Sequence, residues 1–308
     1  MKFAKLGRTG LEVSRLGFGT WQIGGGRWKA LHDDDSVALL RTAVEHGVNV
    51  FDVATVYGQY RNEMACLESH SLELLGRAFT ETALQCSTFI CLKVGQLDEL
   101  SHLSDYSPRN IVERVRHSLA LLRRELVDIC LIHAPSLAEV EQGRALAVLE
   151  TLKSLGMVRA IGYSFENEPL HVAAALRQSV DVLMLQYNLI DSECADVLDD
   201  ASRRGVGVLV GGPYKRGYLS GRYRYLSELP LEDGYWEWNV RHCAGKVEST
   251  LRRVRELMEG AGGSRELRSR ALGHVLAKPA VGSAIVGHRG PEEIGDNVGI
   301  VDALSAAV

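Results

Sequence analysis

Four proton-capable side chains stand at or just past the ends of short apolar runs. Asp52 sits in VNVFDVA with Tyr57 five residues on, Lys93 sits in TFICLKV, and His133 closes VDICLIH. Singly, each has an ordinary explanation: a loop cap, a lysine reaching for solvent, a structural histidine. Most buried polar groups are hydrogen-bonded structure and nothing more. Together they form an acid–base set. A phenol titrates near 10, so at neutral pH it is a reluctant proton donor or acceptor. A neighbouring ammonium favours the phenolate and lowers that value. A carboxylate beside the ammonium keeps it charged where burial would neutralise it. An imidazole within reach can hydrogen-bond a substrate oxygen or relay a proton. The expectation is that Asp52 holds Lys93 and that Lys93 tunes Tyr57 downward.

Such a set needs elements that bring four strand ends together. Short apolar, β-branched runs recur eight times: RLGFGT, VNVFDVA, TFICLKV, VDICLIHA, VRAIGYS, DVLMLQYN, VGVLVGG and GSAIVGH. Segments with helical spacing alternate with them, among them SVALLRTAVEHG, PRNIVERVRHSLALLRRE, ALAVLETLKSLG, SECADVLDDASRRG and PEEIGDNVGIVDAL. The runs are apolar throughout, which suits a parallel sheet covered on both faces. Eight strand–helix units in 308 residues predict an α/β fold of the (β/α)₈ TIM-barrel type, one domain over residues 1–308. An open doubly wound sheet is the rival, but GFGTWQIGGG after the first run lacks the G-x-G-x-x-G turn. The opening residues, KFAKL and LEVSRL around GRTG, read as an N-terminal β-hairpin. Two connections exceed the minimal repeat: YGQYRNEMACLESHSLELLG after strand two, and Lys215 to about Gly245 after strand seven. Both leave strand C-termini, where barrels carry their active sites.

Composition narrows the classes. A formal net charge of −4, with no basic block, argues against nucleic acid or an anionic membrane as partner. The N-terminus has no apolar signal core and no run reaches eighteen apolar residues, so a cytoplasmic protein is expected. The six cysteines are scattered without a C-x-x-C pair. Reduced thiols and no metal site are expected, with Cys91 and Cys130 buried in strands.

The motifs in their order resemble the aldo-keto reductase family nearly end to end. They run from LGRTGLEVSRLGFGTW through FDVATVYG, LKVG, DICLIHAP, LKSLGMVRAIGYS and QYNLI to GGPYKRGYLSG and IVGHRGPEEIGDNVG. The GGPY form is nearest to the aldose 1-dehydrogenase branch, which includes fucose and pyridoxal dehydrogenases. The resemblance implies an NAD(P)-dependent oxidoreductase without metal, with NADP or NAD as cofactor and a small-molecule substrate. It makes Tyr57 the general acid/base, with Lys93 and Asp52 depressing its pKa and His133 orienting the carbonyl. For the cofactor it implies Ser164 and Gln186 at the carboxamide, Gly211 at the ring, Lys215 and Arg216 at the pyrophosphate, and Gly287, Arg289, Glu293 and Asn297 at the adenosine half.

Departures from the family pattern are specific. Phe165 replaces the Asn that usually follows Ser164, with Asn167 as a stand-in two positions on. Gly211 replaces an aromatic that stacks on the nicotinamide. Gly287 and Glu293 stand where NADPH-dependent members often carry Lys and Arg. Glu293 would repel a 2′-phosphate and Arg289 would attract one. Trp21 should border the substrate, whereas Trp236 and Trp238 read as packing under a loop. Arg222, Tyr223, Arg224 and Tyr225 hint at a hydroxylated, sugar-like substrate. Two other functions compete: a cofactor-binding regulatory protein resembling potassium-channel β-subunits, and a Schiff-base aldolase acting through Lys93.

Overall fold

A computed structural model describes residues 1–59, 69–99 and 103–304. Ten strands are present among them: β1 (Phe3–Lys5), β2 (Glu12–Ser14), β3 (Leu16–Gly19), β4 (Val50–Ala54), β5 (Phe89–Val94), β6 (Val127–His133), β7 (Val158–Ser164), β8 (Val182–Gln186), β9 (Gly207–Gly211) and β10 (Val281–Gly287). β1 and β2 pair antiparallel, with Phe3 opposite Ser14. The other eight are parallel neighbours in chain order, and β10 returns to β3 to close a barrel. All eight apolar runs of the sequence are barrel strands.

Side chains alternate across a strand, so one parity of each strand points into the barrel. Val50, Cys91, Ile129, Leu131, Ala160, Val182, Met184, Leu209 and Ile285 form one buried apolar cluster. Leu6, Leu11 and Val13 of the hairpin join it and plug the N-terminal end of the barrel. A larger cluster lies between the strands and the surrounding helices. Two residues further along the inward parity come Asp52, Lys93, His133, Gln186, Gly211 and Gly287. The periodicity that builds the apolar filling therefore also delivers polar groups to the C-terminal opening.

The helices follow the sequence patterns closely, as with Pro108–Leu122, Arg144–Ser154 and Pro291–Leu304. Ser107 caps the first of these, accepting from the Asn110 N–H, and Pro108 occupies the first turn, where no donor is needed. One expectation needs correction. The connection from Lys215 to about Gly245 is not a long irregular loop: short 3₁₀ turns at Lys215–Ser220 and Leu226–Glu228 lead into a 26-residue helix, Gly234–Glu259, bent at Cys243. The other long connection falls partly at 60–68, outside the described residues, and ends in the helix His70–Ala78. Cys91 and Cys130 are buried free thiols, and Cys66 lies outside the described residues. Among the described residues no helix is long and apolar enough to cross a membrane.

Candidate active site

At the open end of the barrel lies a cavity of about 270 Å³. Its floor is the four-residue set. Lys93 Nζ donates to Asp52 at 2.9 Å and to the Tyr57 hydroxyl at 2.6 Å. The ion pair is almost fully enclosed, the side chains being 5% and 6% exposed. β4 and β5 are adjacent, with Ala54 opposite Lys93, so the two inward groups meet across the ladder. Tyr57 reaches back over them from the turn after β4. His133, at the end of β6, presents its ring edge-on to Tyr57 with centroids 6.3 Å apart. Ala134 takes the left-handed conformation (φ 48°) and turns the chain sharply away at this point. Its N–H donates to Ser164 O, and the Tyr106 hydroxyl bonds the His133 carbonyl. Such strained backbone positions concentrate at functional sites.

The electrostatics differ from expectation in one respect. Lys93 does pull the Tyr57 pKa down, but burial pushes it up by more, and the charge of Asp52 adds to the rise. The phenol is therefore held well above its ordinary value and stays protonated. Burial also raises the Asp52 carboxyl against the pull of Lys93. For Lys93, burial acts downward, but Asp52 and Tyr57 together outweigh it and hold the ammonium above its usual value. The set is a neutral phenol resting on a charged ammonium. It can donate a proton upward and stabilise the phenolate left behind.

Aromatic rings wall the cavity above Tyr57. Trp21 lies near-parallel to Tyr57 at 6.1 Å, Trp28 packs edge-on to Trp21, and Tyr235 stacks on Trp28. Trp236, at the start of the long helix, is 2% exposed yet borders the cavity, so it packs under the loop and also faces the site. Trp238 is not part of the cavity wall: it is 44% exposed, beneath the Arg27 guanidinium. A side chain that sequence reasoning missed is Glu99, which accepts from the Trp21 indole at 2.5 Å and fixes that ring. Nothing in its local sequence marks it.

From Tyr57 the cavity extends past Ser164, Gln186 and Gly211 toward Gly287, Arg289, Glu293 and Asn297. Phe165 is buried and stacks on Tyr163, while Asn167 bonds Glu193 and is not part of the wall, so it does not replace the missing amide. A methyl group at Gly211 would meet only ordinary contacts, the nearest being Met184 Cε at 3.8 Å, so the wall there has room for a small side chain. Asn297 is engaged on both sides, accepting from the Tyr214 hydroxyl and donating to His288 Nε2. Arg216 lines the cavity, but Lys215 does not: its ammonium is pulled aside into Asp191 at 2.7 Å. Lys215 and Arg216 both adopt positive φ, 46° and 54°, which turns their side chains in different directions. Sequence reasoning also missed Asp233, whose carboxylate ties the Lys29 N–H (2.6 Å) to the Arg289 guanidinium (3.0 Å) across the opening.

The donor set fits a dinucleotide. An amide and a hydroxyl stand near Gly211 at one end, and guanidinium groups with the N-terminus of the helix Pro291–Leu304 stand at the other. The family model described as "Aldo/keto reductase family" matches residues 15–306. The chain is 30% identical to the NADH-specific methylglyoxal reductase of Escherichia coli, over 72% of this chain and 70% of that one. It is 26% identical to the L-galactose dehydrogenase of Arabidopsis thaliana, over 98% and 88%. A probable voltage-gated potassium channel subunit beta of Oryza sativa is also 26% identical, over 99% and 92%. The solved holo form of an aldo-keto reductase from Bacillus halodurans superimposes with a TM-score of 0.78 at 25% identity, covering 98% and 91%. Fold, site and comparisons agree, and the chain belongs to the aldo/keto reductase family, a nicotinamide-dependent oxidoreductase acting on carbonyl or alcohol substrates.

Proposed function

We propose that this enzyme interconverts the carbonyl and alcohol forms of a small hydroxylated, sugar-like substrate, with Tyr57 as the general acid and base. The observation that carries the reading is the 2.6 Å contact between Lys93 Nζ and the Tyr57 oxygen, backed by Asp52 at 2.9 Å. A bound nicotinamide supplies or accepts the hydride. The chain's own residues do the rest. In reduction, protonated Tyr57 donates to the developing alkoxide, and Lys93 stabilises the resulting phenolate in a site shielded from water. His133 orients the carbonyl oxygen, and Asp52 keeps Lys93 charged and aimed. Ser164 and Gln186 would hold the carboxamide beside Gly211. Arg216, Arg289 and the helix start at Pro291 would hold the phosphates, with Asn297 toward the adenosine half.

The aromatic wall of Trp21, Trp28 and Trp236 suits the C–H faces of a hydroxylated ring, with Tyr57 and His133 within the same cavity for its oxygens. The L-galactose dehydrogenase relative points the same way. For the cofactor, Glu293 favours NADH over NADPH. Its carboxylate accepts from Arg222 at 2.7 Å and from the Arg289 N–H at 2.9 Å, so a 2′-phosphate would have to displace a charge already held by two donors. The test is a panel of aldehydes and aldoses with NADH and NADPH, run on wild type and Tyr57→Phe. Turnover should fall by at least 10²-fold in the variant while the cofactor Kd stays within twofold. Near-normal turnover in Tyr57→Phe refutes the assignment. Absence of steady turnover in wild type with every substrate would leave the regulatory-subunit reading in its place.

A further inference from the structure

Among the described residues the cavity wall carries five cations (Lys93, Arg216, Arg222, Arg268, Arg289) and four acids (Asp52, Glu166, Asp233, Glu293). A site meant for a pyrophosphate is thus almost neutral as folded, and its guanidinium groups already have carboxylate partners. Arg222 is with Glu293, Arg289 with Asp233, Arg268 with Asp296 and Arg216 with Glu166. An incoming phosphate anion gains little from a guanidinium whose charge is already matched. Where the carboxylate partner lines the same cavity, the pair must therefore open before its guanidinium can take the phosphate.

The pairs are not equally easy to part. Asp233 is 10% exposed and holds the Lys29 N–H as well as Arg289, so removing it from Arg289 leaves a buried acid. Glu293 is 28% exposed and also accepts from the Arg289 N–H. Asp296 stands outside the cavity wall, so Arg268 can face an anion without losing it. Glu166 differs from all three. Its side chain is 56% exposed, and its hydrogen bonds among the described residues come from Arg216 alone, at 2.7 and 2.8 Å. It sits on the turn after β7, whereas Arg216 sits on the turn after β9, so the bond spans two separate segments at the cavity wall. Swinging Glu166 into water costs one solvent-exposed ion pair and uncovers the Arg216 guanidinium where the cavity needs charge.

We infer that Glu166 is an internal competitor for the cofactor's pyrophosphate: it occupies Arg216 in the free enzyme and yields it on binding, so Glu166 sets cofactor affinity through Arg216. This rests on the dinucleotide reading above. Exposed pairs of this kind contribute modestly, which sets the effect at about two- to fivefold in Kd. Direct repulsion between Glu166 and a phosphate would produce a similar change, so the test is a cycle. NADH Kd is measured by quenching of protein fluorescence in wild type, Glu166→Gln, Arg216→Asn and the double variant. Asn is chosen at 216 because it tolerates the left-handed backbone there. Competition through Arg216 requires Glu166→Gln to tighten NADH two- to fivefold with Arg216 present and to have no effect in Arg216→Asn. Equal tightening in both backgrounds, or none in either, overturns the inference while leaving the dinucleotide reading intact. If wild type binds neither NADH nor NADPH, both fall. A second measurement needs no change at 216: Glu166→Gln should strengthen inorganic pyrophosphate as a competitor of NADH and leave adenosine unchanged. An equal gain for adenosine contradicts the inference.

Discussion

Replacing Lys93 with methionine asks how much of the acid–base chemistry the ammonium carries. The Lys93 Nζ lies 2.6 Å from the Tyr57 oxygen. At the effective dielectric of about 20 that suits protein sites, a full charge at that distance stabilises a phenolate by about 6 kcal/mol. Asp52 opposes this. It lies 2.9 Å from Nζ, so its oxygen is no further than the sum of the two distances, 5.5 Å, from the phenolate. Taken at that full separation, the repulsion is about 3 kcal/mol. Without the lysine, the buried Asp52 carboxyl takes up a proton and both interactions vanish together. The net loss is about 3 kcal/mol, or about 10²-fold in the rate of the chemical step. The assay is single-turnover hydride transfer, followed by nicotinamide absorbance at saturating cofactor and substrate, with the cofactor Kd measured alongside. Methionine keeps most of the side-chain volume, and a thermal melt reports whether the barrel survives. A folded variant that binds cofactor normally and slows by less than tenfold would show that the ammonium does not stabilise a developing phenolate, and the proposed mechanism would fail.

Other consequences are equally direct. Because burial holds the Tyr57 pKa above its usual 10, the phenolate needed for alcohol oxidation is scarce at neutral pH. Oxidation kcat/KM should therefore climb steadily toward pH 10 without a plateau, while reduction stays flat over the same range; an oxidation plateau near pH 7 contradicts this. Glu293→Gln should raise NADPH affinity relative to NADH by about tenfold in paired Kd measurements, since it removes one full charge near the 2′ position. Asp233→Ala breaks the tie between Lys29 and Arg289 across the opening. Stopped-flow displacement should then show cofactor dissociation faster by about three- to tenfold, with hydride transfer itself unchanged.

The legibility of this molecule follows from the period of its strands. Val50 and Asp52, Cys91 and Lys93, Leu131 and His133 each lie two apart. Once the apolar runs are read as barrel strands, the polar member of each pair must share the inward face with its apolar neighbour. That is why the floor of the site could be assembled on paper. The helix Gly234–Glu259 could not, because GYWEWNVRHCAG opens on glycine and bends at Cys243, so the buried stripe of Val247, Leu251 and Val254 starts only beyond that bend. Packing of Tyr235 and Trp236 against neighbouring rings holds its first turns, and Val247, Leu251 and Val254 anchor the rest in the core. Lys215 was misplaced because two successive left-handed residues send adjacent side chains apart, and no local signal marks φ at lysine or arginine. The direction of the Tyr57 shift was missed for a related reason: charge partners are visible in a sequence, but the depth of burial that outweighs them is not.

The hairpin has one more effect. With Leu6, Leu11 and Val13 seated in the base of the barrel, the cavity is blind. Among the described residues the base therefore offers no route, and reactants and products share the C-terminal end of the barrel.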